Sequence, residues 1–197
     1  MLESDVRVAI SDAVRNSVSF DDALTAIKRL PSTVGQHWQM ILRYGRCADA
    51  GVVEYGTGFS TFAWLESGAN VLSVDVEKPL WIDRLVELSC GRLCFVQASS
   101  LEIEPRRCGV LYIDTLHIYQ QLFNELTRHA CLCEKYIVMH DTEAFGFPSS
   151  VLLSEYSKGD RGLIAAVDDF LHTDDSWYIV ERFSHQFGMT VLGRKPK

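Results

Sequence analysis

The sequence predicts a doubly wound α/β domain: a mostly parallel, seven-stranded sheet with a C-terminal antiparallel hairpin and N-terminal helices. Two observations predict it. From residue 51 onward, short apolar runs alternate with stretches of helical periodicity, which is typical of a parallel sheet covered by helices on both faces. The last two apolar runs are separated only by residues 184–186, and so short a link permits only antiparallel pairing.

A helical segment precedes the sheet. Val6, Ile10 and Val14 recur at the spacing of one helix face, and further helical periodicity follows before the first strand. The length of 197 residues suits one domain with a small appendage. We therefore expect an N-terminal helical segment at residues 1–45 and a ligand-binding domain at residues 46–197.

The elements of the domain follow in order from the apolar pattern. Strands are expected at 51–55, 70–75, 93–96, 109–114, 135–141, 177–183 and 187–193. Helices are expected at 61–67, 80–89, 119–130 and 163–171, with a loop at 146–162. In open parallel sheets, ligands bind beyond the carboxyl ends of the strands, so the residues at those ends are the candidates for function.

The composition narrows the classes of function. The chain has 19 Lys and Arg against 26 Asp and Glu, a net charge of −7, which argues against a nucleic-acid binder because such proteins need cations to displace counterions from phosphates. No apolar run predicts a signal peptide or a membrane span. The six cysteines lack the spacing of zinc sites. We therefore expect a cytoplasmic protein with reduced thiols and with neither nucleic acid nor membrane as a partner.

The first predicted strand runs into a glycine turn. Gly56 and Gly58 permit a tight turn and close approach of a ligand to the backbone, and Ser60 or Thr61 can cap the helix that follows. Glu54 stands before the first glycine, where a carboxylate can either face a cationic group of a ligand or hold the turn through its amides. A dinucleotide fingerprint would have a third small residue where Thr61 stands.

Asp75 ends the second strand, 19 residues after Gly56, where a carboxylate can bind both hydroxyls of a ribose. With Asp75 in register, the motif Glu54-x-Gly56-Thr57-Gly58-x-Ser60-Thr61 resembles the first motif of class I S-adenosylmethionine-dependent methyltransferases. The resemblance implies their Rossmann-like fold and S-adenosylmethionine as the cofactor. The residues implied to bind it are Glu54, Gly56, Thr57, Gly58, Ser60, Thr61, Asp75, Ser99 and Ser100. Many relatives carry an acidic residue where Ser99 stands, and a hydroxyl or a backbone amide would replace it there.

The fourth and fifth predicted strands also end in titratable groups. Asp114 and His117 follow the fourth strand, and His140 and Asp141 close the fifth. Because these strands are expected to be neighbours, the four side chains are expected to converge. The Asp-Thr-Leu-His-x-Tyr and His-Asp-Thr stretches resemble the family-24 branch of these methyltransferases, often found near enzymes that modify sugars and secondary metabolites. The resemblance extends over about residues 45–194.

Methyl transfer to a hydroxyl needs proximity and a base. His117 is the first candidate base, because an imidazole with a pKa of ~6.5 suits proton abstraction at neutral pH. His140 is the second, and Asp114 completes the catalytic set. Related oxygen methyltransferases hold magnesium with carboxylates from these strand ends, so the resemblance implies Asp114 and Asp141 as ligands of Mg²⁺. Catechol-type relatives have an amide where Thr142 stands, and the structural alternative is that these residues only bond a loop or cap a turn.

Two aromatic segments carry open alternatives. His37 and Trp38 can close over the cofactor, or they can belong to an amphipathic helix whose tryptophan packs on the sheet. Phe145 and Phe147 flank a glycine and suit a mobile lid that binds the acceptor, or an ordinary surface loop.

The sequence thus favours an S-adenosylmethionine-dependent methyltransferase that O-methylates a hydroxyl of a small molecule or sugar. One alternative is a non-catalytic interaction or assembly module that retains the fold. Another is an enzyme that uses the same cofactor site for other chemistry, such as hydroxylation. Because little of the chain is left for a substrate domain, we expect the acceptor to meet the segment 1–45, the loop 143–162 or another subunit of a homo-oligomer.

Overall fold

The computed structural model describes residues 3–30, 35 and 37–196. Its sheet has seven strands in the order β3-β2-β1-β4-β5-β7-β6. The strands are β1 Val52–Tyr55, β2 Val71–Asp75, β3 Leu93–Gln97, β4 Cys108–Ile113, β5 Cys133–His140, β6 Trp177–Phe183 and β7 Met189–Arg194. Strands β1 to β5 pair in parallel, whereas β7 pairs antiparallel with both β5 and β6. The predicted fold class is confirmed.

Eight α-helices accompany the sheet in the described part of the chain. They are α1 Glu3–Arg15, α2 Phe20–Ile27, α3 Trp38–Gly45, α4 Phe59–Glu66, α5 Ile82–Leu88, α6 Tyr119–His129, α7 Val151–Tyr156 and α8 Leu163–Thr173. Helix α7 lies where the sequence predicts only a loop. Its six residues bury just Leu153, so no apolar periodicity announces it. Among the described helices, none combines the length and the apolar character needed to cross a membrane.

Both faces of the sheet are buried at its centre, where every residue of β1 and β4 is buried, as a continuous apolar strand requires. In β4, Val110 and Tyr112 face the core beneath α1 to α5, whereas Leu111 and Ile113 face the core beneath α6 and α8, because successive side chains of a strand point to opposite faces. The helices before β1 contribute to the first of these cores, and Val14 is fully buried in it. The N-terminal helices therefore share a core with the sheet.

Strand order reverses at β1, which lies between β2 and β4. The reversal opens a crevice at the carboxyl ends of these strands, where ligands of doubly wound folds bind. Gly56 follows β1 with a φ of +91°, and a Cβ there would lie 1.9 Å from the carbonyl oxygen of Asp114. Only glycine fits, so the backbone of the turn lies directly against the end of β4.

Candidate functional site

Glu54 connects the end of β1 to the glycine turn and the start of α4. Its carboxylate is fully buried and accepts hydrogen bonds from the hydroxyls of Ser60, Thr61 and Ser73 at 2.6, 2.7 and 2.6 Å. Thr61 Oγ1 in turn accepts from the amide of Gly58 at 3.2 Å. Burial raises the pKa of Glu54 to about 7, although the three hydroxyls act against it. Glu54 thus holds the turn, through hydroxyls rather than directly through amides.

Asp75 joins the second strand to the same turn. Its Oδ2 accepts from the amide of Thr57 at 2.8 Å, and its Oδ1 accepts from the amide of Glu77 at 2.9 Å. Each carboxylate oxygen has a second lone pair, so the group can still accept from a ligand hydroxyl. Gly58 has no neighbouring atom within 4 Å of where a Cβ would be, which leaves the backbone open to a ligand.

A pocket of about 680 Å³ lies between this turn and α1, within the usual range for small-molecule sites. Its lining includes Thr57, Gly58, Asp75, the segment 77–81 and one face of α1. An ion pair between Arg7 of α1 and Glu77, 2.7 Å long, joins the two sides. The sequence predicts the helix but not that it lines a pocket, because its amphipathic pattern shows only that one face is covered.

Ser99 and Ser100, predicted to lie beside the adenine, do not line this pocket. Ser99 Oγ accepts from the amide of Leu101 at 3.2 Å. Ser100 is buried and donates to Glu125 Oε1 at 2.5 Å, and Glu125 also accepts from Thr115. Both serines therefore bond within the protein, and the network around Glu125 supports the loop that leads to His117.

The four residues predicted to converge at the ends of β4 and β5 do so. His117 Nε2 lies 3.2 Å from Asp114 Oδ1 and 3.1 Å from Asp141 Oδ2. His140 Nδ1 lies 3.7 Å from Asp114 Oδ2 and 2.6 Å from Asp141 Oδ1. Each carboxylate thus has an outer oxygen, facing His117, and an inner oxygen, facing His140. The cluster adjoins the glycine turn through the contact of Asp114 with Gly56.

Charge coupling fixes the protonation of the cluster in this arrangement. Burial alone lowers the pKa of His117, but its hydrogen bonds and ion pairs with Asp114 and Asp141 outweigh burial and raise it to about 10. Burial likewise lowers the pKa of His140, and the same carboxylates raise it above its usual value. The pKa of Asp141 is lowered: burial raises it, but the contacts with the two histidines outweigh that effect. His117 is therefore a cation at neutral pH.

The sequence offers His37 as a residue that can close over the cofactor, but it does not predict the contact of His37 with His140. Its side chain is fully buried, and its Nδ1 lies 3.1 Å from His140 Nε2. Burial is the main cause that lowers the pKa of His37 to about 4, followed by the charges of His140 and His185, so the ring is neutral at neutral pH. Trp38, beside it, is buried in the core and donates to Glu66 at 2.6 Å. Trp38 thus packs in the core, whereas His37 contacts His140 of the candidate site.

Phe145, in the segment that the sequence offers either as a lid or as a surface loop, packs against the cluster. The ring of Phe145 stacks on His117 with centroids 4.5 Å apart and planes 15° apart. Tyr156 of α7 meets Phe145 edge to face at 5.6 Å, whereas Phe147 is exposed. Stacking fixes the His117 ring over the two carboxylates.

The cluster offers a metal one ligand atom each from Asp114, His140 and Asp141, all within 4.8 Å of one another. Magnesium prefers a shell of oxygen atoms. The two carboxylates fit that preference and the imidazole does not, so the donor set departs from the one that the sequence resemblance implies.

Comparison with known proteins adds fold-level likeness. No protein-family model matches the sequence, and no curated protein sequence does. Among solved structures, magnesium protoporphyrin IX methyltransferase from Synechocystis PCC 6803, with bound S-adenosylhomocysteine, has a TM-score of 0.62 at 14% identity, with 97% of this chain and 100% of that chain covered. The CcbJ methyltransferase from Streptomyces caelestis has a TM-score of 0.59 at 14% identity, with 95% and 98% covered.

A third solved structure, the 16S rRNA methyltransferase RmtF in complex with S-adenosyl-L-homocysteine, has a TM-score of 0.56 at 17% identity and covers 98% of this chain and 75% of that chain. These likenesses show that the chain has the fold of class I S-adenosylmethionine-dependent methyltransferases. The fold is shared by proteins named for a porphyrin and for ribosomal RNA, so it does not select the acceptor.

Proposed function

We propose that this protein is an S-adenosylmethionine-dependent methyltransferase. The observation that carries the proposal is the pocket bounded by Gly58, Asp75 and α1. The glycine turn that lines this pocket also lies against the backbone of Asp114, a member of the acid–imidazole cluster. A nucleoside cofactor in this pocket would meet open backbone at the turn and a carboxylate at the end of β2. Its reactive group would then lie toward the cluster, where the acceptor can be held for in-line transfer.

The acceptor in this proposal is a hydroxyl of a small molecule or sugar. Two imidazoles and two carboxylates supply the groups that can take a hydroxyl proton, and a net charge of −7 repels a polyanion such as RNA. The segment 1–45 would close the cofactor side, and Phe145 and Phe147 would face the acceptor. The six cysteines are free, as the reducing cytoplasm would keep them.

We keep His117 and His140 as the two candidate bases, with Asp114 between them. His117 is cationic beside the two carboxylates, and a cation cannot accept a proton, so the base role requires a charge change at the cluster when cofactor and acceptor bind. Magnesium on Asp114 and Asp141, which the resemblance implies, would supply such a change. The imidazole among the donors argues for a different ion.

Calorimetric titration with S-adenosylhomocysteine and S-adenosylmethionine tests the proposal. We expect both to bind, and Asp75→Asn to weaken binding by roughly tenfold or more, because a hydrogen bond to a charged group is lost. The matched control is Asp175→Asn, the same change at an exposed residue between α8 and β6. Circular dichroism would confirm that both variants are folded.

Absence of binding by the wild-type protein at near-millimolar ligand would contradict the proposal and favour the non-catalytic module. Binding accompanied by oxygen consumption without methyl transfer would instead favour other chemistry at the same cofactor site.

A further inference from the structure

Buried polar atoms converge at the ends of β4 and β5 without satisfying one another. The His140 side chain is only 2% exposed. Its Nδ1 lies 2.6 Å from Asp141 Oδ1, but the two are not aligned as a hydrogen bond, and neither atom has a hydrogen-bond partner among the described residues. Leaving buried polar atoms without a hydrogen bond costs free energy, and native structures rarely do so without a ligand or a functional reason.

Each carboxylate has one oxygen that faces His140 and one that faces His117. His117 Nε2 contacts the outer oxygens, Asp114 Oδ1 and Asp141 Oδ2, at 3.2 and 3.1 Å. Phe145 stacks on the His117 ring. The inner oxygens, Asp114 Oδ2 and Asp141 Oδ1, are thereby directed to His140 Nδ1.

His37 holds the third donor in place. It is fully buried and contacts His140 Nε2 through Nδ1 at 3.1 Å. When His140 carries its proton on Nε2 and donates it to His37, the lone pair of His140 Nδ1 is free and faces the inner oxygens. Metal-binding histidines are oriented in this way by a partner on the other ring nitrogen.

We propose that Asp114 Oδ2, Asp141 Oδ1 and His140 Nδ1 bind a divalent first-row transition ion of the zinc type, and not magnesium. A set of one imidazole nitrogen and two carboxylate oxygens matches the ligands of zinc and its neighbours, whereas magnesium takes oxygen ligands and keeps several waters. His37 is a positioning residue in this proposal. The site uses only contacts among the chain's own residues, so it does not depend on cofactor binding. Because an ion on Nδ1 and His37 on Nε2 engage both ring nitrogens of His140, His117 is then the one candidate base that remains of the two.

Cobalt titration of the full-length protein, first stripped with a chelator, tests the site. We expect one Co²⁺ per chain, with visible absorption bands that zinc abolishes and that millimolar magnesium leaves unchanged. His140→Asp gives an all-oxygen donor set, so cobalt affinity should fall at least tenfold and magnesium should then compete. His172→Ala, at an exposed histidine of α8, is the control and should titrate like the wild type.

His37→Ala should lower cobalt affinity by about 10- to 100-fold, as loss of such a supporting residue does elsewhere. His37→Asn, whose side-chain oxygen can still accept from His140, should restore much of it. Asp141→Asn provides a second ligand variant if His140→Asp does not fold, and near-ultraviolet circular dichroism identifies that case.

Three results would overturn the metal proposal: no cobalt binding, cobalt binding that neither ligand variant changes, or displacement of cobalt by an equal concentration of magnesium. Titration of the same sample with S-adenosylhomocysteine separates the two proposals. Cofactor binding without cobalt binding removes only the metal site, and cobalt binding without cofactor binding removes only the methyltransferase function.

Discussion

The glycine turn and the cluster at the ends of β4 and β5, the two parts of the candidate site, satisfy their polar groups differently. At the glycine turn, every carboxylate oxygen of Glu54 and Asp75 accepts a hydrogen bond from the protein. At the cluster, His140 Nδ1 and Asp141 Oδ1 are buried without such a bond in the described part of the chain. The turn is therefore satisfied by the protein itself, whereas the cluster leaves two buried polar atoms for a ligand, the metal ion in the proposal above.

The rigidity of the glycine turn can be tested at Gly56, where the turn contacts Asp114 of the cluster. Gly56→Ala places a Cβ at 1.9 Å from the Asp114 carbonyl oxygen, at a φ of +91°. We expect the free energy of unfolding to fall by about 3 kcal/mol or more, because the strain of a left-handed alanine adds to an overpacking cost. Urea denaturation measures the loss.

Gly68→Ala is the matched control, since Gly68 has the same φ of +91° and no atom within 4 Å of the new Cβ. It should cost only the backbone strain, about 1–2 kcal/mol. Equal losses in the two variants would show that the contact between the turn and the cluster does not constrain the turn.

The buried carboxylate of the glycine turn predicts a pH effect. The pKa of Glu54 is raised to about 7 when folded, against an ordinary value of 4.5, so between these values the folded state binds more protons than the unfolded state. This contribution to stability is present below about pH 4.5 and is lost as pH rises toward 7, with a slope of up to about 1.4 kcal/mol per pH unit.

Glu54→Gln removes that titration. In urea denaturation, the free energy of unfolding of the wild type minus that of the variant should therefore decrease steadily from pH 5 to pH 7. The same change at the exposed Glu102 is the control. A constant difference for Glu54→Gln would mean that the carboxylate is not protonated in this range and that the hydroxyls hold it as an anion.

The smallest expected effect concerns the outer wall of the pocket. Arg7→Met removes the ion pair with Glu77, whose two side chains are 62% and 70% exposed. Exposed pairs contribute little, so thermal unfolding should show a change in stability within about 0.5 kcal/mol. A loss of several kcal/mol would show that α1 is as firmly built into the site as the turn is.

The sequence predicts the fold, the glycine turn and the titratable groups at the ends of β4 and β5, because all of these depend on local patterns. Strand runs, the glycine turn and the titratable groups at the ends of β4 and β5 are each contained in a few consecutive residues. Once the parallel order is known, Asp114 and His140 must lie at one edge. Even Ser73 could have been found, because it is the register partner of Glu54 in the neighbouring strand.

The remaining residues depend on contacts between distant parts of the chain. His37 and His140 are 103 residues apart, and nothing in the amphipathic pattern around residue 37 singles out that contact. Ser100 is turned toward Glu125 of α6, although its position after β3 is the one that the family motif predicts for the cofactor. Periodicity shows which face of an element is covered, but not by what.

The most direct measurement is a crystal structure of the protein with S-adenosylhomocysteine. We expect the nucleoside to lie between α1 and the glycine turn, with its ribose hydroxyls on Asp75 and its sulfur directed toward Asp114 and His140. Density for the ligand elsewhere, or an empty pocket in crystals grown at saturating ligand, would contradict the claim that this edge of the sheet is a methyltransferase site.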